Sequence, residues 1–361
     1  MQEKTDKNIN FYNNQEMITP AELKSRFPLK EKESRFVCDS QQIIANIIHG
    51  KDSRLLIVCG PCSIHDVDST IDYAHRLKVL SDELSDKLYI VMRVYLEKPR
   101  TVLGWKGLIN DPHMDGSFDI KSGLEISRSL LLKLLTMGLP LANEALDLNT
   151  PQYLGELFSW SAIGARTTES QVHRELASAL PMSIGFKNST SGNLMSAINA
   201  IRAASISHCF MGINQSGRIC LLKTQGNLNG HVILRGGIKP NYYPEDIAYC
   251  ESQLLKVGLP LFLMVDCSHG NSNKNYHDQI KVARSILDQI KDGNRSIVGL
   301  MLESHIYSGN QVLQLPYVKL RYGVSVTDAC IDWISTENLL RQLHMELNSI
   351  LSNRLVGAMN T

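Results

Sequence analysis

Residues 91–101 combine a short apolar run with side chains that bind anions. Arg93 stands among apolar neighbours, and Lys98, Arg100 and Thr101 follow on either side of Pro99. An unpaired guanidinium among apolar residues is costly, and proline cannot donate to a strand ladder, so a strand should end near Pro99. Cations at a strand end favour a ligand with phosphate or carboxylate groups, although pairing with internal acids is the alternative.

Charged residues follow other short apolar runs in the same way. The polar groups at the ends of runs two to six are Arg93, Lys98, Glu144, Arg166, Lys187 and Arg235. The cations among them would repel one another if they converged on one mouth, and few acids share the run ends. A small polyanion with both phosphate and carboxylate groups would relieve this repulsion. Arg100 and Thr101, just beyond the second run, could hold a second phosphate.

A second set of residues has the donor atoms of a transition-metal site. Cys62, His269 and Glu303 end separate runs, and Asp328 follows the last run and its loop. Thiolate, imidazole and carboxylate ligands together suit Mn, Fe, Co or Zn and do not select among them. Any one of these residues has an ordinary alternative, such as a buried histidine with satisfied hydrogen bonds. Asp266 could orient neighbouring groups or serve as a polar core residue.

The sequence Cys59-Gly-Pro-Cys62 offers a rival chemistry, because it spells a dithiol redox motif. In that motif the cysteines open a helix, whereas here an apolar strand leads into Cys59. The cysteines of the chain are dispersed, mostly within apolar runs, which favours free thiols in a reducing compartment. We therefore interpret Cys62 as a single metal ligand rather than as half of a dithiol.

The elements that must position these residues alternate between strands and helices. Apolar runs predict strands at residues 55–62, 89–96, 139–146, 161–165, 183–187, 231–237, 261–269 and 298–304. Helical spacing separates most of them, at residues 71–84, 123–136, 193–204, 244–257 and 276–290. This alternation predicts an α/β fold, a (β/α)8 TIM barrel. Such barrels place catalytic groups at the carboxyl ends of their strands, where the cations and metal donors stand.

Two segments lie outside the barrel pattern. Residues 1–50 predict an N-terminal helical extension, in which Thr19, Pro20 and Glu22 form a helix start. Residues 51–350 form the predicted barrel domain. Within it, two apolar runs joined by Asn-Gln-Ser-Gly predict an inserted antiparallel β-hairpin at about residues 208–224.

The composition excludes several classes of function. The 361 residues carry a formal net charge of +1, which gives no electrostatic footprint for nucleic acid or for an anionic membrane. No apolar run reaches the roughly 18 residues that span a bilayer. The polar first ten residues lack the apolar core of a signal peptide. We expect a globular cytoplasmic protein.

Seven motifs, in chain order, resemble those of one known family. They are Gly60-Pro-Cys-Ser-Ile-His, Arg93…Lys98-Pro-Arg-Thr, Gly104-Trp-Lys-Gly-Leu, Gly164-Ala-Arg-Thr-Thr-Glu-Ser, Gly185-Phe-Lys-Asn, Leu234-Arg-Gly-Gly and Asp266-Cys-Ser-His-Gly-Asn-Ser. Across about residues 20–340 the chain resembles the type I 3-deoxy-D-arabino-heptulosonate 7-phosphate (DAHP) synthases, and the tyrosine-sensitive enterobacterial form most of all.

The resemblance implies a reaction and a set of site residues. Phosphoenolpyruvate, D-erythrose 4-phosphate and water would give DAHP and inorganic phosphate, the first step of the shikimate pathway to the aromatic amino acids. One divalent metal ion would be held by Cys62, His269, Glu303 and Asp328. Phosphoenolpyruvate would be held by Arg93, Lys98, Arg166, Lys187 and Arg235, with Glu144 nearby through water. The erythrose phosphate would be held by Lys98, Pro99, Arg100 and Thr101. The residues with catalytic roles would be Lys98, Cys62 and His269.

The resemblance also implies feedback by an aromatic amino acid, and dimers or tetramers that form through the N-terminal extension. The matching effector residues are Asn8, Asp147, Leu148, Pro151, Gln152, Leu180, Pro181, Phe210 and Gly212. Gly212 fits tyrosine, because a missing side chain leaves room for the phenol. Leu148 and Pro181 depart from the pattern, which has proline at the first position in the tyrosine-sensitive form and serine at the second. We therefore predict intact catalysis with weak or absent feedback, and tyrosine as the best remaining inhibitor.

Two other functions stay open on the residues alone. A barrel aldolase would form a Schiff base at Lys187, whose amine the neighbouring cations could activate. A non-catalytic phosphate-binding protein would keep the cations but lose a metal ligand, and the sequence lacks none of the four.

Overall fold

The predicted barrel is confirmed by a computed structural model, which describes residues 15–102, 104–313, 320–347 and 351. The barrel strands are β1 (Leu55–Gly60), β2 (Leu88–Arg93), β3 (Leu141–Glu144), β4 (Trp160–Ile163), β5 (Ser183–Lys187), β8 (Gly230–Leu234), β9 (Leu263–Asp266) and β10 (Ile297–Glu303). They are all parallel, each pairs with the next in this order, and β10 closes the barrel against β1. The chain therefore brings all eight carboxyl ends to one mouth.

Helices cover the outside of the barrel, as the alternating pattern predicts. They are α1 (Pro20–Arg26), α2 (Glu31–Ile48), α3 (Val67–Glu83), α4 (Ile120–Thr136), α5 (Thr150–Leu154), α6 (Gln171–Ala179), α7 (Leu194–Ala204), α8 (Pro244–Lys256), α9 (Asp278–Lys291) and α10 (Trp333–Glu346). The helix start predicted at Thr19 is confirmed: the Glu22 N–H donates to Thr19 Oγ1 over 3.2 Å, and the Thr19 N–H donates to Glu22 Oε2 over 2.8 Å.

Helix α2 closes the amino-terminal end of the barrel. Its Ile44, Ile47 and Ile48 are fully buried in the same apolar cluster as the barrel-lining residues, which include Trp160 at the start of β4 and Val298 near the start of β10. Burial of three isoleucines contributes several kcal/mol of hydrophobic stabilisation. The domain boundary predicted at residue 50 stays a prediction, and it falls between two segments that share this cluster.

The inserted hairpin forms a separate two-stranded sheet, β6 (Cys209–Ile213) and β7 (Ile219–Lys223). The strands are antiparallel, with Met211 opposite Leu221. The hairpin turn reaches the N-terminal segment and α5, because the Ala21 N–H donates to the Gln215 carbonyl over 2.8 Å and Gln215 Nε2 donates to Gln152 Oε1 over 3.0 Å. The predicted hairpin is thus confirmed, and its tip contacts the start of α1.

His231 gives the barrel interior a dependence of stability on pH. The residue is 2% exposed, its Nε2 accepts from Trp160 Nε1–H over 3.3 Å, and burial lowers its pKa to about 4. A histidine with a lowered folded pKa stays neutral in the barrel while the unfolded chain takes up a proton below about pH 6.5. Stability is therefore full above pH 6.5 and is lost as the pH falls toward 4, by on the order of 3 kcal/mol.

We expect His231→Gln to reduce the loss of stability between pH 6.5 and 4, since glutamine can accept from Trp160 without titrating. The measurement is the free energy of unfolding in urea at several pH values between 6.5 and 4. His75→Gln is the matched control, because His75 lies on the exposed side of α3. If the free energy of unfolding falls equally with decreasing pH in wild type and His231→Gln, His231 does not contribute to the pH dependence.

None of the described helices is long and apolar enough to cross a membrane.

Candidate active site

Three of the predicted metal donors lie together at the mouth of the barrel. One ligand atom each of Cys62, Glu303 and Asp328 lies within 4.8 Å of the others. His269 Nε2 lies 3.8 Å from Glu303 Oε1 and 3.9 Å from Asp328 Oδ2. Sulfur, nitrogen and oxygen donors of this kind fit a divalent transition metal. The structure thus brings together all four residues that the sequence singled out for this role.

The orientation of His269 supports this fit. Its backbone has a φ of +57°, and its Nδ1 lies 3.0 Å from the buried carboxylate of Asp266 and 2.7 Å from Ser268 Oγ. Engaging Nδ1 leaves Nε2 toward the other donors, which is the usual arrangement of a metal-bound histidine with a supporting carboxylate. This contact fits the first of the two roles considered for Asp266, the orientation of a neighbouring group.

Asp266 also holds Lys187. Lys187 Nζ donates to Asp266 Oδ2 over 2.7 Å, and both side chains are buried. Burial alone would raise the pKa of Asp266, but Lys187 and His269 outweigh it and hold that pKa well below its usual range. A Schiff base at Lys187 would require its Nζ to be free for a keto substrate, whereas here Asp266 engages that atom.

Arg93 lies beneath the donor group and is almost fully engaged. Its Nη2 donates to Glu303 Oε1 over 3.0 Å and to the Cys62 carbonyl over 3.1 Å, and its Nε donates to the Pro61 carbonyl. The guanidinium also stacks on Tyr95, 3.5 Å from the ring centre. Burial opposes the charge, but Tyr95 and Glu303 outweigh it and raise the pKa of Arg93. Arg93 could contact a ligand only through the N–H groups that these bonds leave free.

Lys98 is one of the predicted anion-binding cations, and it contacts the predicted metal donor Cys62. Its Nζ lies 3.2 Å from Cys62 Sγ and donates to the Cys62 carbonyl over 3.3 Å. Burial disfavours the ammonium, but Cys62, Glu303 and Asp328 together outweigh it and raise the pKa of Lys98. Burial and Glu303 raise the pKa of the Cys62 thiol to about 11. Lys98 is therefore protonated at neutral pH and can donate a proton at the mouth.

Arg166 and Arg235 have no internal counter-ion, unlike Arg93 and Lys187. No carboxylate of the described residues lies within 4.0 Å of either guanidinium. Arg166 Nε donates to Thr101 Oγ1 over 2.9 Å. Burial, with the like charge of Arg166 adding to it, lowers the pKa of Arg235. Two arginines without an anion beside a metal-type donor group form a site for an anionic ligand.

The remaining predicted substrate residues line the same mouth. Glu144 is buried at the end of β3, and its Oε1 has no hydrogen-bond partner among the described residues. A side chain at Gly164 would overlap this carboxylate, so the glycine leaves room for it. Arg100 and Asp328 line one cavity of about 510 Å³, walled by Trp105 and other apolar residues. Pro99 and Thr101 lie beside Arg100 in the same loop.

The structure disfavours a dithiol at residues 59 and 62. Cys59 Sγ lies 3.2 Å from the hydroxyl of Tyr73 on α3, outside the barrel, whereas Cys62 faces the mouth. Burial raises the pKa of both thiols to about 11, while redox cysteines have lowered pKa values. Both residues are free thiols.

Only some of the predicted effector residues line a common space. Asp147, Pro151 and Leu180 line one narrow space beside Glu97. Asp147 also lines a larger cavity of about 610 Å³ between the N-terminal segment, the loop after β3 and the hairpin, where Ile213 and Gly217 contribute. The predicted effector residues that line neither space are Leu148, Gln152, Pro181, Phe210 and Gly212. Asn8 lies outside the described residues.

Comparisons with known proteins decide the family. The profile described as the DAHP synthetase I family matches residues 26–341. The chain belongs to this family. It is 60% identical to the tyrosine-sensitive phospho-2-dehydro-3-deoxyheptonate aldolase of Escherichia coli K12, over 98% of this chain and 100% of that protein. It is 52% identical to the phenylalanine-sensitive enzyme of the same organism, over 91% of this chain and 93% of that enzyme.

A solved structure agrees with this membership. The phospho-2-dehydro-3-deoxyheptonate aldolase of Francisella tularensis SCHU S4 matches with a TM-score of 0.91 and 46% identity, covering 96% of this chain and 99% of that one. The family resemblance predicted from the seven motifs is therefore confirmed, and so is the fold.

Sequence reasoning about this family member missed two features of its site. Tyr95 was not predicted as the stacking partner of Arg93, although the two residues alternate onto the same face of the extended chain. The second feature is a set of three asparagines behind Arg235, of which Asn188 and Asn271 are buried and Asn241 is half-buried. Asn188 directly follows β5, but Asn241 and Asn271 lie within the loops after β8 and β9, so the sequence offered no signal for the set.

Proposed function

We propose that this DAHP synthetase I family member condenses phosphoenolpyruvate with erythrose 4-phosphate and water to give DAHP and inorganic phosphate, as the first step of the shikimate pathway. The observation that carries the proposal is the pair of unpaired arginines, Arg166 and Arg235, beside the Cys62–Glu303–Asp328 group. A substrate with a phosphate and a carboxylate would supply the missing anions, and the metal-type donors lie where an aldehyde oxygen could bind.

The cations fix the first substrate. We assign the binding of phosphoenolpyruvate to Arg166 and Arg235, with Lys187, Lys98 and Arg93 completing the positive wall. Glu144, whose Oε1 has no described partner, would accept from a water beside the substrate. Orientation by fixed charges lowers the barrier because the reacting atoms are held in place before bonds change.

Side chains of the site also donate the proton and stabilise the leaving phosphate. The new carbon–carbon bond forms between the methylene carbon of phosphoenolpyruvate and the aldehyde carbon, and Lys98 Nζ gives its proton to the resulting alkoxide. Water adds to the former enol carbon and gives one proton to the Lys98 amine, which restores the ammonium. The bond from that carbon to the phosphate oxygen then breaks with its electron pair leaving on the phosphate, while the hydroxyl oxygen forms the ketone and passes its proton to the phosphate. Arg166 and Arg235 stabilise the leaving phosphate.

Cys62, His269, Glu303 and Asp328 would hold one divalent metal ion. When bound, the ion would act as a Lewis acid toward the aldehyde oxygen. The donor set suits Mn, Fe, Co or Zn. Asp266 keeps Nδ1 of His269 occupied, so the imidazole presents Nε2 to the site and does not serve as a free base.

One assay tests the proposed function. The purified protein is incubated with both substrates and one metal at a time, and the absorbance of phosphoenolpyruvate is followed. We expect a metal-dependent loss of absorbance that a chelator stops. Activity that resists chelation, together with borohydride trapping of Lys187, would instead support the Schiff-base aldolase. Binding of phosphate without turnover under any metal would support a non-catalytic phosphate-binding protein.

We expect Arg100→Ala to raise the Michaelis constant for erythrose 4-phosphate by about 10- to 100-fold and to change that for phosphoenolpyruvate little. The reason is the loss of a charge-assisted hydrogen bond, worth about 1.5–3 kcal/mol. Arg100→Lys should keep part of the affinity, since the charge remains. Arg76→Ala is the matched control, because Arg76 pairs with Asp72 on the exposed face of α3. Equal increases in both Michaelis constants would contradict the assignment of Arg100 to erythrose 4-phosphate.

The remaining proposals concern regulation, assembly and location. Three curated relatives are named tyrosine-, phenylalanine- and tryptophan-sensitive, which supports an aromatic amino acid as effector. We propose tyrosine for this chain, with feedback weakened at Leu148 and Pro181. We propose a homo-oligomer, a dimer or a tetramer, assembled through residues 1–50. We further propose a cytoplasmic location and no nucleic-acid or membrane partner.

A further inference from the structure

Three buried or half-buried asparagines connect the loops that follow β5, β8 and β9, which are neighbours in the barrel. Asn188 Nδ2 donates to the carbonyls of Ser189 and Gly236, over 2.9 and 2.8 Å. Asn271 Nδ2 donates to the carbonyls of Leu234 and Asp266, over 3.1 and 2.9 Å. Asn241 joins the two, because its Nδ2 donates to Asn188 Oδ1 over 3.1 Å and its N–H donates to Asn271 Oδ1 over 2.8 Å.

This network fixes the backbone of Arg235 on both sides. The Arg235 N–H donates to Asn188 Oδ1 over 2.9 Å, and the Arg235 carbonyl accepts from the Gly270 N–H over 3.1 Å. The next residue is held as well, since the Gly236 N–H donates to Asn241 Oδ1 over 2.7 Å. Where strand ladders end, backbone groups lose their partners, and a carboxamide can replace a donor and an acceptor at once.

Close packing of glycines makes the arrangement rigid. A side chain at Gly236 would overlap the backbone at Gly270, and one at Gly237 would overlap Gly192. The three loops therefore touch through their backbones, with no side chain between them to absorb a shift. A small displacement of one loop must be transmitted to the others.

In the part of the chain that the structure describes, Arg235 lacks the ion pairs that hold two other cations of the site, so its position depends more on this network. Arg93 and Lys187 are held by Glu303 and Asp266, whereas no carboxylate of the described residues lies within 4.0 Å of Arg235. Among the described residues its guanidinium makes one hydrogen bond, a long one from Nη1 to the Gly236 carbonyl at 3.4 Å. The position of its charge is set by its backbone, and its backbone is set by Asn188.

We infer that Asn188, Asn241 and Asn271 form an amide clamp that positions Arg235 to bind the phosphorylated three-carbon substrate. The three asparagines are positioning residues and touch no substrate. The inference rests on the proposed function, since it assumes that Arg235 binds phosphoenolpyruvate. It assigns a role in that reaction to residues that neither charge nor metal chemistry would select.

The test is Asn188→Ala in the full-length, metal-loaded enzyme. Removal of the carboxamide frees the N–H of Arg235 and the carbonyl of Gly236, so the guanidinium should shift. We expect the Michaelis constant for phosphoenolpyruvate to rise about 10- to 100-fold, because a displacement of about 1 Å can have effects of that size. The Michaelis constant for erythrose 4-phosphate and the metal content should stay within about twofold. Calorimetric titration with phosphoenolpyruvate alone should show the same loss of affinity without turnover. Asn241→Ala, at a half-buried position, gives a milder version if Asn188→Ala folds poorly.

A double-mutant cycle separates positioning from general loosening. If Asn188 acts through Arg235, Asn188→Ala should add less than about twofold to the effect of Arg235→Ala. Asn227→Ala is the matched control: Asn227 is also buried, its Nδ2 donates to the carbonyls of Leu180 and Met182, and it precedes the amino end of β8. It should lower the melting temperature without changing the Michaelis constant for phosphoenolpyruvate.

The outcomes keep the clamp and the proposed function apart. Additive effects of Asn188→Ala and Arg235→Ala in an active enzyme would overturn the clamp and leave the function standing. So would an unchanged affinity of Asn188→Ala for phosphoenolpyruvate. A wild-type protein that neither binds nor consumes phosphoenolpyruvate would overturn both.

Discussion

Cys62→Ala should reduce turnover by about a thousandfold or more and leave the barrel folded. The thiol is fully buried between Glu303, Asp328 and Lys98, and it is the sole sulfur in the described donor group. Loss of a metal ligand removes a Lewis acid worth several kcal/mol of transition-state stabilisation, and each 1.36 kcal/mol corresponds to a factor of ten in rate. One buried thiol contributes little to packing, so the fold should survive.

The measurement pairs the rate with the metal content of the purified variant. We expect less than one bound metal per chain and no recovery of turnover at moderate metal excess. Cys59→Ala is the matched control, because that thiol is equally buried three residues earlier but contacts Tyr73 outside the barrel. It should retain both metal and turnover. Near-normal turnover of Cys62→Ala with full metal occupancy would show that the ligand assignment is wrong.

The sequence predicted the barrel well because each strand had a local signal. Apolar runs bounded by helical spacing overlap all eight strands, although six of the strands are shorter than the runs. Residues 139–146 were predicted as the third strand, and only Leu141–Glu144 form it. The chain beyond Glu144 leaves the ladder to form the loop after β3, in which Ala145 is buried and Leu146 is half-buried.

What the sequence could not predict were partners far apart in the chain. Arg93 and Lys187 were both identified as cations of the site, yet their ion pairs with Glu303 and Asp266 depend on the closure of the barrel. The packing of α2 against the barrel interior was missed for the same reason: an apolar stripe on a helix shows that it is buried, and not what buries it. The asparagines behind Arg235 carry no charge and no periodicity, so only their contacts show their role.

Feedback by tyrosine should be weak in this chain and should strengthen on the paired change Leu148→Pro with Pro181→Ser, by on the order of 10- to 100-fold in inhibition constant. Serine at position 181 would restore a hydroxyl and a backbone N–H, and a ligand group left without its partner costs about 1–3 kcal/mol. Proline at position 148 would fix a backbone angle, which contributes about 0.4–1 kcal/mol by restricting the free chain. Both positions are exposed, so the changes should not disturb the core.

The local structure explains why these substitutions should act on the effector rather than on catalysis. Asp147 Oδ1 still accepts from the N–H groups of Asn149 and Thr150, over 2.7 and 3.1 Å, so the turn around Leu148 keeps its shape. The Leu180 carbonyl still accepts from Asn227 Nδ2, which holds the chain next to Pro181. What changes is the donor set and the stiffness presented to a ligand, while neither substituted residue lines the cavity that Arg100 and Asp328 share.

Titration of wild type and the paired variant with tyrosine, phenylalanine and tryptophan measures this directly. Val79→Ser, on the exposed face of α3, is the surface control and should leave every inhibition constant unchanged. Each single change should give part of the gain, and the substrate constants should not move, because neither residue lines the cavity of Arg100 and Asp328. Strong inhibition of the wild type by micromolar tyrosine would contradict the weakened feedback. Preferential inhibition by phenylalanine would contradict the tyrosine-sensitive subtype.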